Sequence, residues 1–225
     1  MREIVLDTET TGLNPREGHR IVEIGAVELS GHVPTGRTYH QYINPERDMP
    51  AEAFAVHGLG DDFLKEKPVF AQVVEAFLAF VGDAKLVIHN AAFDMDFINF
   101  ELKTHGRNPL PMTQAIDTLA IARSKFPGAQ NSLDALCRRF GVDNSGREKH
   151  GALLDSELLA DVYLELLGGR QPTMVLAEVA GTGTATTSTD LTPPLRPKPL
   201  QPRLSAAEES AHRQFIEKLG DAALW

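Results

Sequence analysis

The sequence predicts an α/β layered domain with a mixed sheet flanked by helices, followed by a flexible C-terminal tail. Three observations predict it. Near the start, β-rich segments are joined by turns too short for a crossover, so they run antiparallel. Further along, a short apolar strand alternates with segments of helical spacing, the pattern that adds parallel strands. After Gly168-Gly169 the patterning stops, and small polar and Pro-rich stretches that cannot bury a core take over.

Each element has its own signal. Ile4-Val5-Leu6 is a short apolar run ending in acids, a buried first strand. Residues 21–29 are apolar and β-branched, a second strand; Gly31 and Pro34 supply a turn, and 38–43 reads as a third strand. Residues 70–81 have helical spacing. Leu86-Val87-Ile88 is another buried strand, followed by a helix over about 92–105. Asn131-Ser132 opens a helix to Phe140 with Ser132 as its N-cap, and 153–167 is a long amphipathic helix. No internal repeat is visible.

Composition bounds the function. A chain of 225 residues, 42% hydrophobic, suffices for one domain with a real core plus extra chain. The net charge of -9 argues against a protein that grips nucleic acid with its whole surface, because such proteins are basic. An acidic protein can still act on phosphodiesters when divalent metals carry the positive charge locally. The single cysteine, Cys137, sits in an apolar helical pattern and reads as a buried core residue in a reducing compartment. The N-terminus shows no signal peptide or membrane span, so a cytoplasmic location is expected.

The acids fall in a pattern. Asp7 and Glu9 lie two apart on a strand and therefore face the same side. Asp94 follows the second buried strand in the first turn of a helix, and in open α/β sheets ligand sites gather at strand carboxyl ends. His150 precedes Asp155 by five residues, a poor same-face spacing within a helix. The pair works better with His150 in the Gly- and Asn-containing loop and Asp155 inside the helix. Each feature alone has an ordinary reading: a strand ending in a turn, a carboxylate at a helix dipole, a surface histidine. Together, four carboxylates supply hard oxygen ligands that select Mg²⁺ or Mn²⁺. A histidine with a near-neutral pKa can take a proton from an attacking water.

Asp7-Thr8-Glu9-Thr10-Thr11-Gly12, His89-Asn90-Ala91-Ala92-Phe93-Asp94 and His150-Gly151-Ala152-Leu153-Leu154-Asp155 resemble the three exonuclease motifs of the DEDDh superfamily. The resemblance covers about residues 1–170 and is strongest to the proofreading subunits of bacterial replicative polymerases. It implies a ribonuclease-H-like fold and metal-dependent 3′→5′ removal of nucleoside monophosphates from single-stranded or frayed DNA ends. It further implies two divalent cations, Mg²⁺ or Mn²⁺. Asp7 would bridge both, Glu9 and Asp155 would complete the ligation, Asp94 would help through water, and His150 would be the general base. Thr10 would lie at the substrate, and Glu52 and His57 would contact the terminal nucleotide. His57-Gly58 reads equally well as a helix C-terminus, where both residues are common. A free-standing DEDDh exonuclease acting on single-stranded DNA or RNA ends is the alternative.

The expected organisation is a nuclease domain over 1–169, a linker over 170–204 and a tail helix over 205–225. Gln171-Pro172-Thr173-Met174-Val175-Leu176 is similar to a sliding-clamp-binding peptide, with Gln171, Met174 and Leu176 as its contacts; a fraying helix end is the plain alternative. In the tail, Ser205 and Glu208 form a capping box, and Ala211, Phe215 and Leu219 share a face. One short helix cannot bury that face by itself. Phe215, Leu219, Leu224 and Trp225 are therefore expected to meet a partner, by resemblance the polymerase III alpha subunit. No membrane partner is expected.

Overall fold

In a computed structural model the residues described are 1–146, 149–169 and 205–219. They fall into two units that divide between residues 175 and 176: the described residues up to 169 belong to the first, and a helix after residue 204 to the second.

The domain is built on strands β1 (Arg2–Thr10), β2 (Ile21–Ser30), β3 (Val33–Tyr42), β4 (Lys85–Ile88) and β5 (Ala115–Asp117), in the order β3-β2-β1-β4-β5. β1–β2 and β2–β3 are antiparallel, whereas β1–β4 and β4–β5 are parallel. This is the mixed sheet expected from the sequence. The β2–β3 turn is Gly31-His32, both at positive φ (58° and 67°), a geometry that matches the twist of the strands it joins. Pro34, expected in that turn, instead lies within β3. β3 is an edge strand, where a residue without an N–H is tolerated. β5 and the helix after it, α5 (Thr118–Lys125), were not anticipated.

The remaining helices of the domain are α1 (Ala51–His57), α2 (Asp61–Leu64), α3 (Phe70–Val81), α4 (Ala91–Thr104), α6 (Leu133–Phe140) and α7 (Ala152–Leu166). α3 buries Phe70, Val73, Val74, Phe77 and Val81, the repeating face of an amphipathic helix. With Met95 and Ile98 of α4 they cover Ile4, Leu6 and Ile24 on one side of the sheet. On the other side, Leu159 and Tyr163 of α7 cover Val5, Val27, Leu29 and Val87. Each such side chain contributes roughly 1.5–3 kcal/mol on burial, enough for the sheet to hold polar groups at its rim. Cys137 of α6 is fully buried.

In the second unit, α8 (Ala206–Leu219) begins with the expected capping box. The Ser205 amide donates to Glu208 Oε2 at 2.9 Å, and the Glu208 amide to Ser205 Oγ at 3.3 Å. Phe215 is exposed on this helix. Among the described residues no helix is long and apolar enough to cross a membrane.

Candidate active site

Strand parity sorts the site residues. Along β1, Ile4 and Leu6 enter the α3–α4 layer and Val5 the α7 layer. By the same alternation Asp7 and Glu9 point to the α7 side and Thr8 to the α4 side. Asp94 lies in the first turn of α4, directly after β4, and is buried. The Thr8 amide and hydroxyl both donate to its Oδ1, at 3.1 and 2.7 Å. Asp155 lies in the first turn of α7 and is also buried. His150 precedes that helix in the loop, and its Nδ1 is 3.2 Å from Asp155 Oδ2. The His150 amide donates to Val56 O of α1 at 3.3 Å. A register shift between Glu9 and Thr10 ends the regular β1–β2 pairing at the site.

Asp7, Glu9, Asp94, His150 and Asp155 line one cavity of about 280 Å³. Ligand atoms of Glu9, His150 and Asp155 all lie within 4.8 Å of one another. Gly25 makes this convergence possible. It sits on β2 under the start of α7, where an added Cβ would fall 2.1 Å from the Ala152 carbonyl carbon. Ser156 Oγ donates to Gly25 O at 2.9 Å and fixes the approach. A glycine in a strand at a close backbone approach was readable from sequence, but its partner was not.

The site concentrates negative charge where water is scarce. Burial pushes Glu9 up to about 8; the neighbouring His150 works against this, while Asp155, Glu23 and Asp94 add to it. Burial likewise raises Asp94, opposed by the Thr8 hydrogen bonds. Clustered carboxylates in such a setting gain from a divalent cation, and the all-oxygen acids among the donors suit a hard ion. The acids lining this cavity therefore suit a divalent cation, and the ligand atoms that cluster most closely are those of Glu9, His150 and Asp155.

A second cavity, about 500 Å³, adjoins the first through Thr8, Glu9 and Phe93. Thr10, Glu52 and His57 all line it. His57 is the last residue of α1, Gly58 caps that helix in the left-handed conformation, and the ring is buried against the cavity. The helix C-terminus reading of His57-Gly58 is thus what the structure shows, and the same ring lines the cavity. The Leu59 amide donates to His57 Nδ1 at 3.1 Å, and burial lowers the ring's pKa, so the neutral ring carries its proton on Nε2. Glu52 is exposed at the rim.

Sequence reasoning missed the apolar part of this cavity, Leu13 and Phe93. Leu13 is 85% exposed beside Gly12, and an exposed leucine following a motif glycine was the available signal. It also missed the clamps on the loop that carries Leu13. Arg20 forks onto the buried Glu101 at 2.6 and 2.8 Å, and Arg16 onto Asp96 at 2.6 and 2.7 Å, tying residues 11–20 to α4. Of the tail contacts, Gln171, Met174, Leu176, Leu224 and Trp225 lie outside the described residues, as does the side chain of Leu219.

The exonuclease family RNase_T matches residues 4–163 of this chain, which makes it a nuclease of the hydrolase class. Dependence on divalent metal is typical of that class. The DNA polymerase III subunit epsilon of Rickettsia conorii is 60% identical over 174 residues, covering 76% of each chain. That of Salmonella typhimurium is 45% identical over 237 residues, covering 100% of this chain and 97% of its own. The chain belongs to the DNA polymerase III subunit epsilon family. Among solved structures, the nuclease domain of 3′hExo, a DEDDh family member bound to rAMP, superimposes with a TM-score of 0.64 at 22% identity, over 74% of this chain and 91% of that one. This likeness establishes the ribonuclease-H-like exonuclease fold.

Proposed function

We propose that the chain removes deoxynucleoside monophosphates from mispaired 3′ ends of DNA, as the proofreading subunit of a bacterial replicative polymerase. The observation that carries this reading is the convergence of Asp7, Glu9, Asp94, Asp155 and His150 on one cavity that opens into a nucleotide-sized one. Asp7, Glu9, Asp94 and Asp155 would hold two divalent cations, Mg²⁺ or Mn²⁺. When bound, the cations neutralise the phosphate oxygens and make water a better nucleophile. His150 stands in the loop beside Asp155, where it can accept the proton of the attacking water and pass it to solvent. Thr8 keeps Asp94 aimed into the cavity through two hydrogen bonds.

The terminal nucleotide takes the second cavity. Neutral His57 offers an Nε2 proton there, and Glu52 stands at the rim to meet the sugar. Leu13 and Phe93 supply apolar surface for a base that has left its duplex. A mispaired end frays more readily, so the need for a single strand gives selectivity without base reading. The chain's negative charge suits a division of labour in which partners hold the DNA. Gln171, Met174 and Leu176 dock on the sliding clamp. Phe215, Leu219, Leu224 and Trp225 engage the polymerase alpha subunit in the cytoplasm. The linker over 170–204 raises the effective concentration of the nuclease at the primer end.

The test is a 5′-labelled primer on a template, with a paired or mispaired 3′ end, incubated with the full chain and Mg²⁺ or Mn²⁺. Stepwise shortening from the 3′ end, faster on the mispaired primer and stopped by EDTA, is expected. Internal cleavage, or undiminished activity in excess EDTA, overturns the reading.

A further inference from the structure

A third cavity, about 650 Å³, is lined by residues of α5 and of the segment that opens α6, and shares no lining residue with the terminal-nucleotide cavity. It shares His89 and Ser132 with the acidic site, just as the nucleotide cavity shares Thr8, Glu9 and Phe93 with it. The three cavities therefore form one track with the carboxylates in the middle. A strand with its last nucleotide at one end and its scissile phosphate at the carboxylates must continue upstream from there. The volume falls within the ~300–1,000 Å³ range of small-ligand sites, ample for a nucleotide unit.

The lining chemistry suits an anionic strand. Arg123 stands on the cavity wall. Arg2, Arg16, Arg20, Arg37 and Arg107 are each paired with a carboxylate, whereas Arg123 has no ion-pair or hydrogen-bond partner among the described residues. On a chain of net charge -9, an uncompensated guanidinium at the end of a nuclease track is where a phosphate gains most. Ser132 adds a donor: its Oγ accepts from the Ala135 amide as the α6 cap, which leaves its hydroxyl proton free to turn into the cavity. The amides that open α6 have no acceptor within the helix and present the positive end of its dipole to the same space. The wall is rigid. Asn131 donates to Phe126 O and Ala129 O and accepts from Arg139, and His89 Nδ1 is held by Thr118 Oγ1 at 2.9 Å.

We infer that this cavity is the subsite for the DNA strand 5′ of the scissile phosphate, with Arg123 neutralising an upstream phosphate. The inference rests on the exonuclease reading above, and two substrates separate them. One is the p-nitrophenyl ester of thymidine 5′-monophosphate, which has a terminal nucleotide and no upstream strand. The other is a single-stranded oligothymidylate of several residues.

Native chain should turn over both with Mn²⁺; failure on both would sink the exonuclease reading itself. Arg123→Gln should lower the ratio of kcat/KM for the oligonucleotide to that for the ester about tenfold, chiefly through KM. The slope of log kcat/KM against log salt on the oligonucleotide should flatten by ~0.7, the value for one phosphate contact to a single strand. Ala129→Glu, which sets an anion in the exposed part of the same wall, should act in the same direction. Arg123→Lys should recover most of the ratio. If Arg123→Gln and Ala129→Glu both leave the ratio and the salt slope unchanged, the upstream strand does not run through this cavity. If they lower activity on both substrates equally, the effect is structural and the assignment is equally overturned.

Discussion

Gly25→Ala perturbs the site without touching a reacting group. The new Cβ would lie 2.1 Å from the Ala152 carbonyl carbon, 2.2 Å from the Leu153 nitrogen and 2.3 Å from the Ala152 oxygen. Heavy atoms in contact settle near ~3.5–4.0 Å, so the first turn of α7 must retreat by about 1 Å or more. Both neighbours are backbone, so no side-chain rotation relieves the clash. Asp155 sits in that turn and His150 in the loop leading to it, so the retreat moves both away from Glu9. A misplacement of that size costs ~10²-fold where geometry is set for reaction, and kcat should fall by about that factor. Overpacking itself costs ~1–3 kcal/mol, which a domain of ordinary stability survives. The assay is kcat on a single-stranded oligonucleotide with saturating Mn²⁺, well below a Tm measured in parallel. Ser156→Ala is the companion variant: it removes the hydrogen bond to Gly25 O without forcing α7 outwards, at a cost of ~1 kcal/mol and with kcat nearly kept. A folded Gly25→Ala protein with kcat within threefold of native would refute the claim that close approach of α7 sets the site.

Four further outcomes are expected. Glu9 titrates at about 8 in the folded chain against 4.5 as its ordinary value. In the metal-free protein the contribution of Glu9 to stability is therefore fully present below about pH 4.5 and is lost as pH rises through 8, by an amount on the order of a few kcal/mol. Urea unfolding in EDTA at pH 5 and pH 8 checks this, with Glu9→Gln expected to flatten the trend and Mn²⁺ to offset it at pH 8; stability that rises with pH would contradict it. His150→Ala should lower kcat ~10²–10⁴-fold with metal affinity little changed, and recovery of kcat at high metal would instead make His150 a ligand. Truncation after Gly169 should preserve turnover of free oligonucleotides and abolish stable association with the polymerase subunit. Alanine at Gln171, Met174 and Leu176 should weaken clamp binding alone, and co-elution of the truncated chain with polymerase at micromolar concentration would move the interface to the nuclease domain.

What the sequence made legible divides along physical lines. α3, α6 and the antiparallel pairing of β2 with β3 were readable because local periodicity, capping and a short turn determine them: Ser132 does cap α6, 70–81 is α3, and Gly31-His32 turns β2 into β3. β5 was not, because Ala115-Ile116-Asp117 is three residues of intermediate burial whose strand character comes only from pairing with β4. Asp117 was the missed signal for α5, since its side chain accepts from the Leu119 amide as an N-cap. Pro34 misled because proline marks turns more often than edge strands. In the site, the acids stood out by spacing and motif, but their convergence is tertiary. Thr8 holding Asp94, Gly25 admitting α7 and Arg20 forking onto Glu101 join residues more than eighty apart, and no local pattern announces such pairs.

The central claim is that the converging carboxylates carry the chemistry by holding divalent metal. The direct measurement is calorimetric titration of Mn²⁺ into the full chain and into Asp7→Asn/Glu9→Gln, with oligonucleotide turnover followed on the same samples and folding verified by thermal melting. Native protein should bind about two ions and release mononucleotides, as two-metal phosphodiester hydrolysis requires. The folded double variant should lose tight metal binding and turnover together. A folded double variant that still turns over the oligonucleotide at the native rate would contradict the account.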